Sequence, residues 1–257
     1  MQDILFGNNN SPIIKKLSRR YFKASKSRNS IAIVAIILTT VLFTTIFTLG
    51  SGLIDTVQDQ NIRKMGGDGQ AVLNYISDEV FDDVKGNELI DRIAYTKAVS
   101  YHLNNPGLAK WRSDMWYMDD TALEFARYEP TTGHRPEAEN EIIADTKTLE
   151  ALGVPAEIGA TVTLDYEIKG KEYTTDFTLC GFWETDSLSN IGRIIVSKAF
   201  LDSHADLLTY TYPVDNDYSG IVTAYIMFRG SGSVEEKLQQ LLTETGYTCD
   251  TLGGQPT

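Results

Sequence analysis

"GHRPEAENEIIADTKTLEALGVPAEIGATVTLDY", Gly133 to Tyr166, moves through three kinds of local pattern in succession. Ile142 and Ile143 mark a short strand. Asp145 or Thr146 then caps a helix, Gly153 stops it, and Pro155 follows two residues later. Beyond Gly159 the apolar period becomes two. Val162, Leu164, Tyr166 and Ile168 alternate, the chain turns at Lys169-Gly170-Lys171, and Tyr173, Phe177 and Leu179 resume the alternation. Period two across a glycine turn is the pattern of a β-hairpin. "RIIV" ending at Val196 and "SKAFLDSHADLL" ending at Leu208 add another strand and helix. Residues 133–220 therefore read as a self-contained α+β unit.

Working outward, the flanks carry a second, divided pattern. "QAVLNYI" precedes "SDEVFDDVKGNELIDRI" and then "AVSYHL": strand, helical stretch, strand. Gly86 breaks or kinks the helical part, and Asp78 and Glu79 suit its N-terminal dipole. Far downstream, "IVTAYIMF" from Ile221 to Phe228 has the composition of a strand buried on both faces. Ser233 with Glu236 forms a capping box for the helix that follows, which stops at Gly246. The expectation is a split βαβ subdomain made of residues 55–132 and 221–257, the second part lacking its final strand, with residues 133–220 inserted into it.

The N-terminus has a different texture. Between Lys15 and Arg28 lie seven basic residues and no acidic one, yet no charge occurs from Ile31 to Leu53. Those 23 residues reach roughly 35 Å as a helix, enough for the ~30 Å core of a bilayer. Apolar cores of signal peptides run only about 7–15 residues, so an uncleaved anchor over residues 30–54 is the better reading. Residues 1–29 form a basic cytoplasmic segment. Within it Ile13, Ile14, Leu17, Tyr21 and Ala24 recur at helical spacing, which predicts an amphipathic helix on the inner membrane surface, starting just after Pro12. Retention of basic flanks inside places the N-terminus in the cytoplasm and the large domain outside. Up to Arg28 the net charge is +6, whereas the other 229 residues carry 16 basic and 34 acidic side chains, a net of −18. An acidic domain repels phosphates, so nucleic acid is not an expected partner, while anionic lipid suits the basic segment. Gly66, Gly67 and Gly69 mark a hinge after the span.

The skeleton Gly133, Pro136, Glu141, Leu149, Leu152, Gly153, Gly159 and Val162 resembles the extracytoplasmic domain of bacterial MacB/FtsX-type ABC-transporter permeases. The order of basic amphipathic segment, first span, split subdomain and inserted subdomain is also similar to that family, so the resemblance covers essentially the whole chain. His134 follows Gly133 directly, where relatives often place arginine; here Arg135 comes one residue later. These residues specify turns and a core, not chemistry. The resemblance implies a cytoplasmic ABC ATPase subunit and a second permease copy or half as partners, with an extracytoplasmic peptide or lipoprotein as a further one. It also implies efflux, lipoprotein release or resistance to antimicrobial peptides as the kind of task.

Catalytic patterns are missing. His102, His134 and His204 share no short metal-ligand spacing with one another or with cysteine, and read as surface or structural residues. Neither a Gly-x-Ser-x-Gly elbow nor Ser-x-x-Lys occurs, and Gly170-Lys171 is followed by Glu172, so it is no phosphate loop. Asp215, Asp217, Ser219 and Gly220 mimic the start of a calcium loop, but Ile226 stands where the bidentate Glu belongs, and a turn is the better reading. Catalytic, cofactor-binding and metal-binding residues are assigned to none of these positions. Cys180 and Cys249 are placed where a disulfide could persist, with an ordinary core cysteine as the alternative for Cys180. Trp111, Trp116, Tyr117, Phe125 and Tyr128 crowd one segment, and Tyr210, Tyr212 and Tyr218 another. Core packing is the default for both, an exposed recognition surface the alternative.

Two functions remain in view. One is the N-terminal part of an ABC-type permease, not itself an enzyme, in the cell membrane. The other is a single-span anchored surface sensor or adhesion module that binds a peptide or envelope component. The unfinished second βα unit leaves an open sheet edge and favours the permease.

Overall fold

The computed structural model describes residues 11–65, 68–185, 189–211 and 217–248. It divides into two units, Met1–Gln58 and Asp59–Thr257. In the first, α1 (Ser11–Ala24) and most of α2 (Lys26–Met65) are separated by a turn at Ser25. The helix begins at Ser11, with Pro12 in its first turn, where a missing N–H costs nothing. α1 buries no residue, and Ile13, Ile14, Leu17 and Tyr21 are all more than half exposed. Lys26–Gly52 of α2 is long and apolar enough to cross a membrane. Threonine hydroxyls would be costly in hydrocarbon, but those of Thr39, Thr40, Thr44 and Thr45 each donate to the carbonyl four residues back at 2.7–2.8 Å.

The second unit is mixed α+β. Its elements run β1 (Ala71–Ile76), α3 (Asp78–Lys85), β2 (Ile90–Ser100), β3 (Ser113–Met118), α4 (Asp120–Ala126), β4 (Thr132–Gly133), β5 (Glu141–Asp145), α5 (Thr146–Leu152), β6 (Thr161–Ile168), β7 (Lys171–Trp183), β8 (Gly192–Val196), α6 (Lys198–Ser203), β9 (Val222–Phe228) and α7 (Val234–Thr245). The sheet order is β1-β9-β2-β3-β8-β5-β7-β4, with β6 hairpinned onto β7. β9 runs antiparallel to both β1 and β2 and lies between them. β1–α3–β2 is therefore a parallel βαβ unit split by a strand from far downstream. Across that seam the Thr96 hydroxyl donates to Thr223 O at 2.9 Å, a contact between residues 127 positions apart.

Local chemistry explains the element ends. Ser77, Asp119, Asp145, Ser197 and Ser233 each accept an N–H from the first turn of the helix they cap. In the β6–β7 hairpin Ile168 faces Lys171, leaving Lys169 and Gly170 as a two-residue loop with φ of 49° and 75°, the doubly positive geometry that matches strand twist. The stretch after Gly86 is not helical as expected. Asn87 accepts the Leu89 N–H at 2.9 Å in a turn, and β2 begins at Ile90 instead of near Ala98. β3 and α4 build the aromatic-rich segment, in which the sequence pattern marks no element.

Three apolar clusters hold the unit together. One centres on Leu149, Tyr166, Phe177, Ile194 and Phe200 and takes in Val99 of β2 and Met115 of β3. A second joins β1, β9, α3 and α7 through Ile76, Val84, Ile226 and Leu241. The third draws on both parts, with Phe125 and Tyr225 beside Ile143, Cys180, Trp183 and Ile195.

Candidate functional site: a polar pocket over an aromatic seam

The bulge between Ala98 and Ser100 interrupts the β2–β3 pairing, and the chain then loops out through a 3₁₀ turn, Pro106–Ala109, before returning as β3. Beneath this loop opens a pocket of about 590 Å³, lined by Tyr101, His102, Leu103, Asn104, Leu108, Arg112, Ser113 and Tyr218. Aromatic rings make one wall. Tyr101 packs against Tyr218 at 5.0 Å between centroids and edge-on against Trp116 at 5.4 Å. Tyr75 extends the row, 5.8 Å from Tyr218. It sits in a bulge of β1 at φ 58°, unusual for an aromatic residue, and that backbone swings its ring out of the ladder.

Charge is stored under the rings. Asp114, almost fully buried, accepts from Arg193 Nη1 at 2.6 Å and from Arg112 Nε at 3.4 Å, and the Arg193 guanidinium lies 5.5 Å from the Trp116 ring. Burial, reinforced by Asp114, pushes the Tyr101 phenol well above its ordinary value, so it stays a neutral donor. Trp116 Nε1 and Ser219 Oγ are buried and, among the described residues, have no hydrogen-bond partner. A second pair joins the buried Lys97 Nζ to the half-exposed Asp78 Oδ2 at 2.6 Å and is shared with Tyr95, whose hydroxyl donates to Asp78 Oδ1 at 2.5 Å. Burial first and that carboxylate second raise the Tyr95 phenol far above its usual range. The pocket offers donors and ring faces, an arrangement suited to holding a polar ligand. Among the described residues no carboxylate hydrogen-bonds a histidine, so the acid–base–nucleophile relay of a hydrolase is not assembled.

The candidate residues of the sequence separate as follows. His204 ends α6, its Nδ1 3.0 Å from Phe200 O and its ring stacked on Phe200. His102 lines the pocket, and His134 lies beside Cys180. Cys180 is a buried core residue with a free thiol. Phe125 and Tyr128 are buried, Trp111, Trp116 and Tyr117 half-buried. Asp217 accepts the Ser219 N–H at 2.9 Å, the turn expected there, with Gly220 at φ 86°. At Gly69 an added Cβ would meet Tyr225 at 3.0 Å, and the next residue, Gln70, donates its N–H to Ile226 O at 2.8 Å. Gly66, Gly67, Tyr212, Asp215 and Cys249 lie outside the described residues. The pocket has no sequence motif, since the loop from Tyr101 to Ser113 meets Tyr218 from far downstream; the aromatic crowding is its one visible trace.

No protein-family model and no curated protein matches the sequence. Among solved structures, the extracellular domain of the noncanonical ABC-type transporter YknZ from Gram-positive bacteria is similar at 12% identity and a TM-score of 0.42, over 69% of this chain and 96% of that one. The periplasmic region of MacB from Actinobacillus actinomycetemcomitans is similar at 12% identity and the same TM-score of 0.42, over 68% of this chain and 76% of that one.

Proposed function

We propose that the chain is the N-terminal part of an ABC-transporter permease whose extracytoplasmic domain is coupled to a separate cytoplasmic ATPase, in the service of efflux, lipoprotein release or resistance to antimicrobial peptides. The observation that carries this reading is α2. It is one uninterrupted helix of 40 residues, and only six residues after it the chain enters β1, a strand of the domain's own sheet. A span that continues as helix to within a few residues of the domain's first strand suits a task in which span and domain act together. Asp68 N bonds Phe125 O at 3.1 Å and Gln70 Oε1 accepts the Phe228 N–H at 2.8 Å, so the entry to β1 is tied down on both sides.

In this reading the N-terminus is cytoplasmic, α1 lies on anionic lipid, the acidic domain is outside, and a second permease copy or half completes the transporter. The chain performs no catalysis; its pocket receives an extracytoplasmic peptide or lipoprotein segment. Labelling in sealed cells tests the orientation, with both native cysteines first replaced by Ala: Ser18→Cys is shielded from an impermeant thiol reagent and Asp78→Cys is modified. Labelling at position 18 sinks the topology. For the coupling, disulfide cross-linking of Asp78→Cys between copies, in vesicles that also hold the ATPase, changes on trapping with ATP and vanadate. An unchanged pattern removes the ATPase from the account.

A further inference from the structure

A cluster of metal-ligating side chains lies apart from the pocket, where three neighbouring strands meet. β7 runs between β5 and β4, with Gly133 opposite Gly181 and Glu141 opposite Thr178. That register places His134, one residue past β4, and Glu141, the first residue of β5, beside Cys180 on β7. One donor atom from each lies within 4.8 Å of the other two. The backbone fixes the arrangement: His134 N donates to Cys180 O at 3.0 Å. Gly133 makes this approach possible at φ 89°, where a Cβ would come within 2.1 Å of the same oxygen.

Each donor is already oriented. His134 Nδ1 is 2.8 Å from Arg135 O. A carbonyl can only accept, so the proton belongs on Nδ1 and Nε2 keeps its lone pair, the outer-sphere pattern of metal-bound imidazoles. Glu141 Oε2 accepts the N–H groups of Glu137 and Ala138 at 2.8 and 2.9 Å, which leaves Oε1 open. Arg135 is turned away onto Asp120, at 2.7 Å, and Glu129, so among the described residues no lysine or arginine is paired with Glu141. Cys180 Sγ, 2% exposed with its residue, faces only the carbonyls of Ile142 at 3.3 Å and His134 at 3.5 Å. His134 is exposed and gives solvent access to the cluster.

We propose that His134 Nε2, Glu141 Oε1 and Cys180 Sγ form a zinc site with water in the fourth position. Imidazole, carboxylate and thiolate together suit a borderline-soft ion, whereas Ca²⁺ and Mg²⁺ take all-oxygen sets. Zinc bonds of about 2.0–2.3 Å set tetrahedral ligand atoms about 3.5 Å apart, so the donors close by roughly 1 Å, a shift the exposed His134 ring makes by side-chain rotation. On binding, Cys180 releases its proton to solvent, and the S–Zn bond replaces the S–H contacts to the two carbonyls. The ion then staples the connection from β4 to β5 onto β7, and because the unfolded chain holds no such site, it raises stability.

The test uses the full chain in detergent micelles, stripped with a chelator, loaded with Zn²⁺ and desalted. The expected result is retention of one zinc ion per chain and a melting temperature raised by Zn²⁺ but not by Mg²⁺, both lost in His134→Ala and in Glu141→Gln. Cobalt(II) in place of zinc gives a thiolate charge-transfer absorption that Cys180→Ala abolishes. Removing a buried side chain can compromise folding, so His134→Ala and Glu141→Gln, at the accessible side, decide the outcome if Cys180→Ala does not fold. Failure to retain zinc, equal retention by these two variants, or cobalt bound without the thiolate band overturns the proposal.

Discussion

Asp145 caps α5, but its carboxylate does more than close a helix. Oδ1 accepts the Thr148 N–H at 3.0 Å and the Thr185 hydroxyl at 2.7 Å; Oδ2 accepts the Thr148 hydroxyl at 2.6 Å and the Arg193 N–H at 2.8 Å. One buried side chain thus ties α5, the segment after β7, and β8. In Asp145→Ala the two hydroxyls can turn to other acceptors, whereas the two N–H groups cannot. Loss of the cap costs about 1 kcal/mol and the stranded Arg193 N–H about 1–3 kcal/mol. Release of a buried carboxylate from its desolvation offsets a part of that sum, so the expected net loss is about 2–3 kcal/mol. Tryptophan fluorescence during urea unfolding of the full chain in micelles measures it cleanly, because Trp111, Trp116 and Trp183 all lie in the second unit and Trp111 Nε1 bonds Thr148 Oγ1 at 3.1 Å. Ser233→Ala at the exposed cap of α7 is the comparison, with an expected loss of about 1 kcal/mol. If Asp145→Ala costs no more than Ser233→Ala, the carboxylate is an ordinary cap and the reasoning fails.

Other perturbations follow from the same packing. Gly133→Ala combines an unfavourable φ with a Cβ 2.1 Å from Cys180 O, and circular dichroism should show a strongly lowered melting temperature. Burial pushes the Tyr225 phenol up from 10.0 to about 12. A raised folded-state value means its contribution is complete below pH 10 and is lost as pH climbs toward about 12, on the order of 2–3 kcal/mol in all. Urea melts across that window should show the loss, and Tyr225→Phe should blunt it; an unchanged slope in Tyr225→Phe assigns the effect elsewhere. Deleting residues 133–213 behind a glycine-serine linker strips Ile143, Cys180, Trp183 and Ile195 from the third cluster and exposes the β3 edge that pairs with β8. The remainder should unfold without a cooperative transition, and a sharp melt would show that residues 55–132 and 221–257 hold a core of their own.

The sequence was most legible where structure is local. Ser233, Glu236 and Gly246 bound α7, and Lys169-Gly170 turns the hairpin, because caps and turns depend on a few adjacent residues. β2 was harder. Asp91, Arg92, Thr96 and Lys97 blur its alternation, and the chain can bury Lys97 only because Asp78, on α3, meets it. Pattern reading takes a lysine as exposed; a tertiary partner reverses that. The same limit hid β3 within its aromatic segment, whose faces are decided by β2 on one side and β8 on the other.

Candidate sites fail to show in sequence for a related reason, and the two here fail in different ways. The pocket sets Tyr101 and Arg112, from one loop, against Tyr218 more than 100 residues downstream, so composition could register only an excess of rings. His134 and Cys180 stand 46 residues apart, far outside any ligand-spacing motif, and no count of histidines brings them together. What brings them together is register. With β4 on one side of β7 and β5 on the other, Gly133 opposite Gly181 and Glu141 opposite Thr178 leave His134, Glu141 and Cys180 as neighbours, and a slip of one residue in either pairing would turn a donor to the opposite face. The glycine that opens the family-like stretch therefore has a second consequence: the close approach of Gly133 to Cys180 O fixes the turn and, with it, the register on which the cluster depends.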